Sequence, residues 1–172
     1  IGISNNVVEV ADPAFLLEKK DFPGDFLFDE NNQLVLGVNL SPLSVRHTMG
    51  IDKINESIIS QTKFLRLIID ELKVRIILIP HVIASHHPSD DDYSYLQKLL
   101  SELSKTYSGK VALLPPNLGA ERTKGVISKC DALLAARMHC GIAGVSSGTP
   151  TIFIAYSQKA WGMSQYVYGN QK

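Results

Sequence analysis

Five short apolar runs recur along the chain: "LVLGVNL" at 34–40, "VRIILI" at 74–79, "VALL" at 111–114, "ALLAA" at 132–136 and "TIFIA" at 151–155. Runs this brief and this continuous suit strands buried on both faces, not strands with one wet side. The stretches between them follow a different period. After Asp52, a candidate cap, Ile54, Ile58, Leu65, Ile68, Ile69 and Leu72 stand at near-helical spacing. A second helix is expected from near Asp90, with Tyr93, Leu96, Leu99, Leu100 and Leu103 as its apolar stripe, a short one over 121–129, and another from Met138. "SPLSVRHTMG", after the first run, reads as a turn-rich loop. Strand–helix alternation of this kind predicts an α/β fold: a Rossmann-like, doubly wound parallel sheet of about five strands with helices on both faces.

The first 33 residues break the pattern. A strand-like start and the "ADPAF" turn lead into the polar "EKKDFPGDFLFDENNQ". They read as a connector, residues 1–33, entering a lobe of residues 34–172. Because the sequence opens on Ile1 and not on Met, on a strand already in progress, it is expected to be part of a longer polypeptide.

Composition removes several function classes. Lys and Arg balance Asp and Glu at 17 each, so the basic face of a nucleic-acid module is not expected. The longest apolar stretch, "IILIPHVIA" at 76–84, is far short of the ~20 residues a membrane helix needs. No basic region followed by an apolar block marks a secretory signal. Cys130 and Cys140 form no CxxC pair and lie in apolar settings, which fits buried thiols in a reducing compartment. A cytoplasmic location follows, or a peripheral one at the inner face of the membrane.

Open parallel sheets bind ligands beyond the carboxyl ends of their strands. That rule selects Asn39, Ser41, Arg46 and His47 after the first run, and His81, His86, His87 and Asp90–Asp92 after the second. Asn117 and Glu121 follow the third, Arg137 and His139 the fourth, Tyr156, Gln158 and Lys159 the fifth. Arg137 closes a buried strand and His139 opens a helix. A helix N-terminus favours an anion, and a guanidinium beside it offers a planar fork for carboxylate or phosphate. An imidazole there is expected to stay neutral and to trade protons near neutrality. The alternative is that Arg137 pairs with a helix carboxylate and His139 caps or packs.

The "HVIASHHPSDDD" segment carries metal-ligand residue types. His86 and His87 are adjacent and point apart in extended chain, and acids at a helix start favour its dipole. Capping and a solvated loop are the expectation, with no metal bound. His81 stands apart from that pair, at the strand end in the ligand zone. Neither GxGxxG after a strand nor GxxxxGK occurs, which sets aside dinucleotide and ATP sites.

Taken in order, "VADPAFLL", "LVLGVNLSP", "IILIPHV" with "DDDYSYLQKL", and "AERTKGVISKCDALLAARMHCGIAGVSSGTPTIFIAYSQKAWG" resemble the polysaccharide pyruvyl transferases. The most specific block runs from Glu121 to Gly162. The resemblance implies a two-lobed architecture similar to GT-B glycosyltransferases, of which this chain is the second lobe. It also implies transfer of the enolpyruvyl unit of phosphoenolpyruvate to a saccharide or lipid-linked glycan, leaving a pyruvate ketal, with no cofactor. Carried onto this sequence, Arg137 holds an anionic group and His139 is the acid/base or phosphate partner. Lys159 adds a cation and Glu121 positions a sugar hydroxyl, with Tyr156, His81 and Asn39 as further substrate contacts. A GT-B glycosyltransferase, a sugar-nucleotide epimerase and a module that only binds are the competing readings.

Overall fold

The computed structural model describes residues 10–23 and 33–169. Five strands, β1 (Val35–Asn39), β2 (Arg75–Leu78), β3 (Val111–Leu113), β4 (Ala132–Ala135) and β5 (Thr151–Phe153), form one sheet in the order β3-β2-β1-β4-β5. All four pairings are parallel, with Gly37 of β1 level with Ile77 and Leu133 on its two neighbours. The expected doubly wound α/β architecture is therefore present.

Burial on both faces explains why the strand sequences are continuous apolar runs. On β2, Ile76 and Leu78 point to one face and join Val38, Leu65, Ile69, Leu96, Leu99 and Leu103. Ile77, and Ile79 just beyond, point to the other and join Val126, Ile127, Leu133, Cys140 and Ala143. The first layer is roofed by helices α2 (Ile54–Leu72) and α3 (Asp92–Ser104), the second by α4 (Ala120–Ile127) and α5 (Met138–Ser146). Small residues let α5 sit close: a side chain at Gly141 would collide with the Phe153 ring, and one at Gly144 with Thr151 and Leu133. Glycine is thus required at both positions by space.

Three details depart from the sequence expectation. "SPLSVRHTMG" is not a loop, because its residues form helix α1 (Pro42–Thr48), with Pro42 in the first turn and the Ser41 hydroxyl accepting from the Leu43 N–H. Asp52 does not cap α2; it lies in a 3-10 turn, Ile51–Lys53, that runs into the helix. On α3 it is Tyr95, not Tyr93, that is buried, its hydroxyl donating to Gln61 Oε1 at 2.8 Å. A last helix, α6 (Gln158–Tyr168), follows β5.

Residues 10–23 form a strap laid over α4 and α5, built around a 3-10 turn, Pro13–Leu16. Lys124 is buried beneath it and donates to the Leu17 carbonyl at 2.6 Å. The Lys20 N–H donates to the Glu121 carbonyl at 3.0 Å, and the Lys20 carbonyl presses on Gly125, where a Cβ would not fit. The strand expected at the very start of the chain, and the second half of the expected polar linker, fall outside the described residues.

Candidate functional site

The strand order reverses between β1 and β4, since β1 leads on to β2 while β4 leads on to β5. In such a sheet the crevice for a ligand opens there, at the carboxyl ends. Asn39 ends β1 at this point and Arg137 follows β4. Asn39, expected to touch substrate, is fully buried instead. Its amide nitrogen donates to the Ile79 carbonyl at 2.9 Å and to Asp92 Oδ2 at 3.4 Å, while its oxygen accepts from the Arg137 N–H at 2.8 Å. The residue braces three strand ends and presents nothing to solvent.

Arg137 is likewise engaged. Its Nε and Nη2 both donate to Asp92 Oδ1, at 3.1 and 2.9 Å, and Nη2 also reaches the Asp90 carbonyl at 2.8 Å. Asp92 is wholly buried and takes two further N–H donors, from His81 at 3.2 Å and Val82 at 3.0 Å. Of the expected anion fork, only the Nη1 edge has no hydrogen bond among the described residues. The acidic run therefore divides its duties. Asp91 is the cap of α3, accepting from the Ser94 and Ala84 N–H groups, whereas Asp92, expected to be a solvated or capping acid, is the buried counter-ion of Arg137.

His139 stands in the first turn of α5 with its side chain 56% exposed. Its Nε2 lies 3.5 Å from Asp12 Oδ2, an acid supplied by the strap. His81 is more enclosed, and burial holds its imidazole down to about 4; Asp92 opposes that shift, while the charges of His139 and Arg137 reinforce it. At neutral pH His81 is therefore uncharged, a neutral donor or acceptor, and an unsuitable reservoir of protons. It lines a cleft of about 200 Å³ with Pro80, Ile83, Pro116, Gly119, Ala120 and Thr123, between the loops after β2 and β3. A larger hollow of about 500 Å³ lies at the amino ends of β4 and β5, lined by Thr149, Pro150, Thr151 and Tyr168. That position, and the lack of any charged side chain in its lining, argue against it as the reaction site.

The remaining expected residues follow the ends of β3 and β5. Tyr156 is half-buried, and its ring lies 5.9 Å from that of His47 on α1. Since β4 separates β5 from β1, this contact carries the loop after β5 across the end of β4. Lys159 is exposed in the first turn of α6. Glu121 meets Lys20 of the strap at 2.5 Å, so an acid expected to position a sugar hydroxyl is at present an anchor. Among the described residues no three His, Cys, Asp or Glu side chains converge as metal ligands.

Sequence reasoning missed Asp12 and, although Asp92 stood among the strand-end candidates, missed its role as a buried counter-ion. Asp92 left a signal, because 92, 96, 99 and 103 share one helical stripe and the last three are leucines. An acid in register with a buried stripe needs a buried partner. Asp12 showed only that it could cap the turn beginning at Pro13; nothing local says where that turn docks.

No curated protein matches the chain significantly. The family model described as polysaccharide pyruvyl transferase matches residues 1–158, covering every strand and all helices but the last. A match over that much of the 172 residues means that the chain belongs to the polysaccharide pyruvyl transferase family.

Proposed function

We infer that the edge formed by His81, Arg137 and His139 takes part in transferring the enolpyruvyl unit of phosphoenolpyruvate to a saccharide of a polysaccharide or lipid-linked glycan. The observation that carries this reading is the accessible imidazole of His139 at the carboxyl edge, two residues after the braced Arg137 and backed by a carboxylate. Phosphoenolpyruvate carries a carboxylate and a phosphate on a three-carbon frame. The start of α5 and the Nη1 edge of Arg137 suit one of these anions, and Lys159 at the start of α6 suits the other.

The chemistry then balances as follows. A proton adds to the methylene carbon of phosphoenolpyruvate, leaving an electron-poor carbon that still bears the phosphate ester oxygen. A sugar hydroxyl adds to that carbon and loses its proton. The carbon–oxygen bond to phosphate breaks, phosphate leaves, and a second hydroxyl closes the cyclic ketal with loss of its own proton. His139 is the group placed to give or take these protons. In this reading Arg137 stabilises negative charge, and Tyr156 and Glu121 contact the acceptor sugar. In this reading the acceptor is completed by a further lobe, in an arrangement similar to GT-B enzymes, and the work is done in the cytoplasm. No helix among the described residues is long and apolar enough to cross a membrane.

The test is incubation of the intact protein with phosphoenolpyruvate and a panel of hexosides and lipid-linked saccharides, followed by NMR of the products. A methyl singlet of a pyruvate ketal, with phosphate released in equal amount, is the expected outcome. Turnover of a nucleotide-sugar in its place would identify a glycosyltransferase or epimerase and overturn the reading.

A further inference from the structure

The geometry points to Asp12 as a positioning residue for His139, supplied by the strap and not by the sheet; this rests on the pyruvyl-transfer reading of His139. Three observations meet at this contact. The Asp12 carboxylate is fixed from one side, its Oδ1 accepting the Ala14 N–H at 2.9 Å as the cap of the turn that begins at Pro13. That leaves Oδ2 turned to His139 Nε2 at 3.5 Å. The carboxylate is 28% exposed, so water competes for it less than for an open surface acid. A distance of 3.5 Å is long for a hydrogen bond, but contacts of this kind tighten when substrate fills the site.

The strap is held as a unit. Lys124 grips the Leu17 carbonyl from below, Glu121 pairs with Lys20, and Phe15 packs edge-on against Tyr166 of α6 at 6.3 Å. Asp12 therefore arrives at His139 on a piece of chain with its own anchors on α4 and α6. A carboxylate so placed selects which imidazole nitrogen keeps its proton and stabilises the imidazolium formed when the ring takes a proton. The histidine thus depends for its orientation on a segment 127 residues away in sequence (139 − 12).

The experiment uses the intact protein with Asp12→Asn, Asp12→Glu and His139→Ala. Asparagine keeps the Oδ1 acceptor for the Ala14 N–H, so the turn is retained while the charge is lost. Phosphate release from phosphoenolpyruvate with the hexoside panel gives kcat and KM, and calorimetry with phosphoenolpyruvate alone gives donor affinity. Asp12→Asn should lower kcat by about 10- to 100-fold, part of the ~100- to 10,000-fold that proton transfer by a side chain contributes. KM for phosphoenolpyruvate and the melting temperature should stay near wild type, and Asp12→Glu should recover part of the loss. If Asp12→Asn keeps kcat within about threefold while His139→Ala abolishes turnover, Asp12 is only a cap and the inference falls. If His139→Ala keeps full turnover, the pyruvyl-transfer role of His139 fails first, and the role of Asp12 fails with it. A fall in melting temperature that tracks the loss of kcat in both Asp12 variants would also overturn the inference.

Discussion

Arg137 and Asp92, 45 residues apart, form a buried ion pair in which the guanidinium donates from two nitrogens to one carboxylate. The pair joins the end of β4 to the start of α3, and Asn39 clamps it to the end of β1. The crevice at the strand reversal is thereby held by a polar network whose members satisfy one another. Such a network is costly to leave half made.

Removing one partner strands a charge in a dry site. Asp92→Asn or Arg137→Ala should each destabilise the fold by roughly 3–5 kcal/mol, whereas a paired Asp92→Leu, Arg137→Met replacement should recover much of it. Urea denaturation of the three variants measures this. Single variants within about 1 kcal/mol of wild type would show that solvent reaches the pair. The same cost means that Arg137→Ala is no clean probe of donor binding.

Stability should fall in mild acid because of His81. Its folded value, about 4, lies below the ordinary 6.5. Between those limits the unfolded chain binds a proton that the folded chain refuses, so the contribution is complete above pH 6.5 and is lost as pH falls toward 4. The effect is at most about 3 kcal/mol, reduced by the partial exposure of the ring. Denaturation of wild type and His81→Gln at pH 7 and pH 4.5 checks the sign: the variant should show the smaller drop, and equal drops would place the acid sensitivity elsewhere.

The strap has its own test. Gly125→Ala puts a methyl group against the Lys20 carbonyl, so it should lift residues 10–23 off α4 while sparing the sheet. Overpacking of this kind costs roughly 1–3 kcal/mol. Hydrogen exchange should then speed up in the strap but not in β1 or β4. Uniform acceleration across the lobe would mean the strap is integral to the core.

Both thiols should resist modification in the native state. Burial pushes Cys130 up to about 12 and Cys140 higher still, so neither offers thiolate at neutral pH. Iodoacetamide should label them only on unfolding; rapid native labelling of Cys140 would contradict its complete burial.

The sheet was legible because double-sided burial writes itself as unbroken apolar runs, and the five strands fall inside the five runs at 34–40, 74–79, 111–114, 132–136 and 151–155. Helix α1 was hidden by Pro42, which reads as a breaker but sits harmlessly in a first turn. The rule that ligands gather at carboxyl ends brought Asn39, His81, Arg137 and His139 to one edge. It could not say which of them face solvent. Asn39 and Arg137 are engaged inward because Asp92 is buried beside them, a long-range pairing that no local spacing encodes.

The most direct measurement is the rate of phosphate release from phosphoenolpyruvate by His139→Ala, with a saccharide acceptor present and the fold verified by circular dichroism. Loss of turnover by about 100- to 10,000-fold, with donor affinity preserved, is the result expected of a residue that moves a proton in the slow step. Turnover close to wild type would make His139 a surface residue paired with Asp12 and would remove proton transfer from this edge of the sheet.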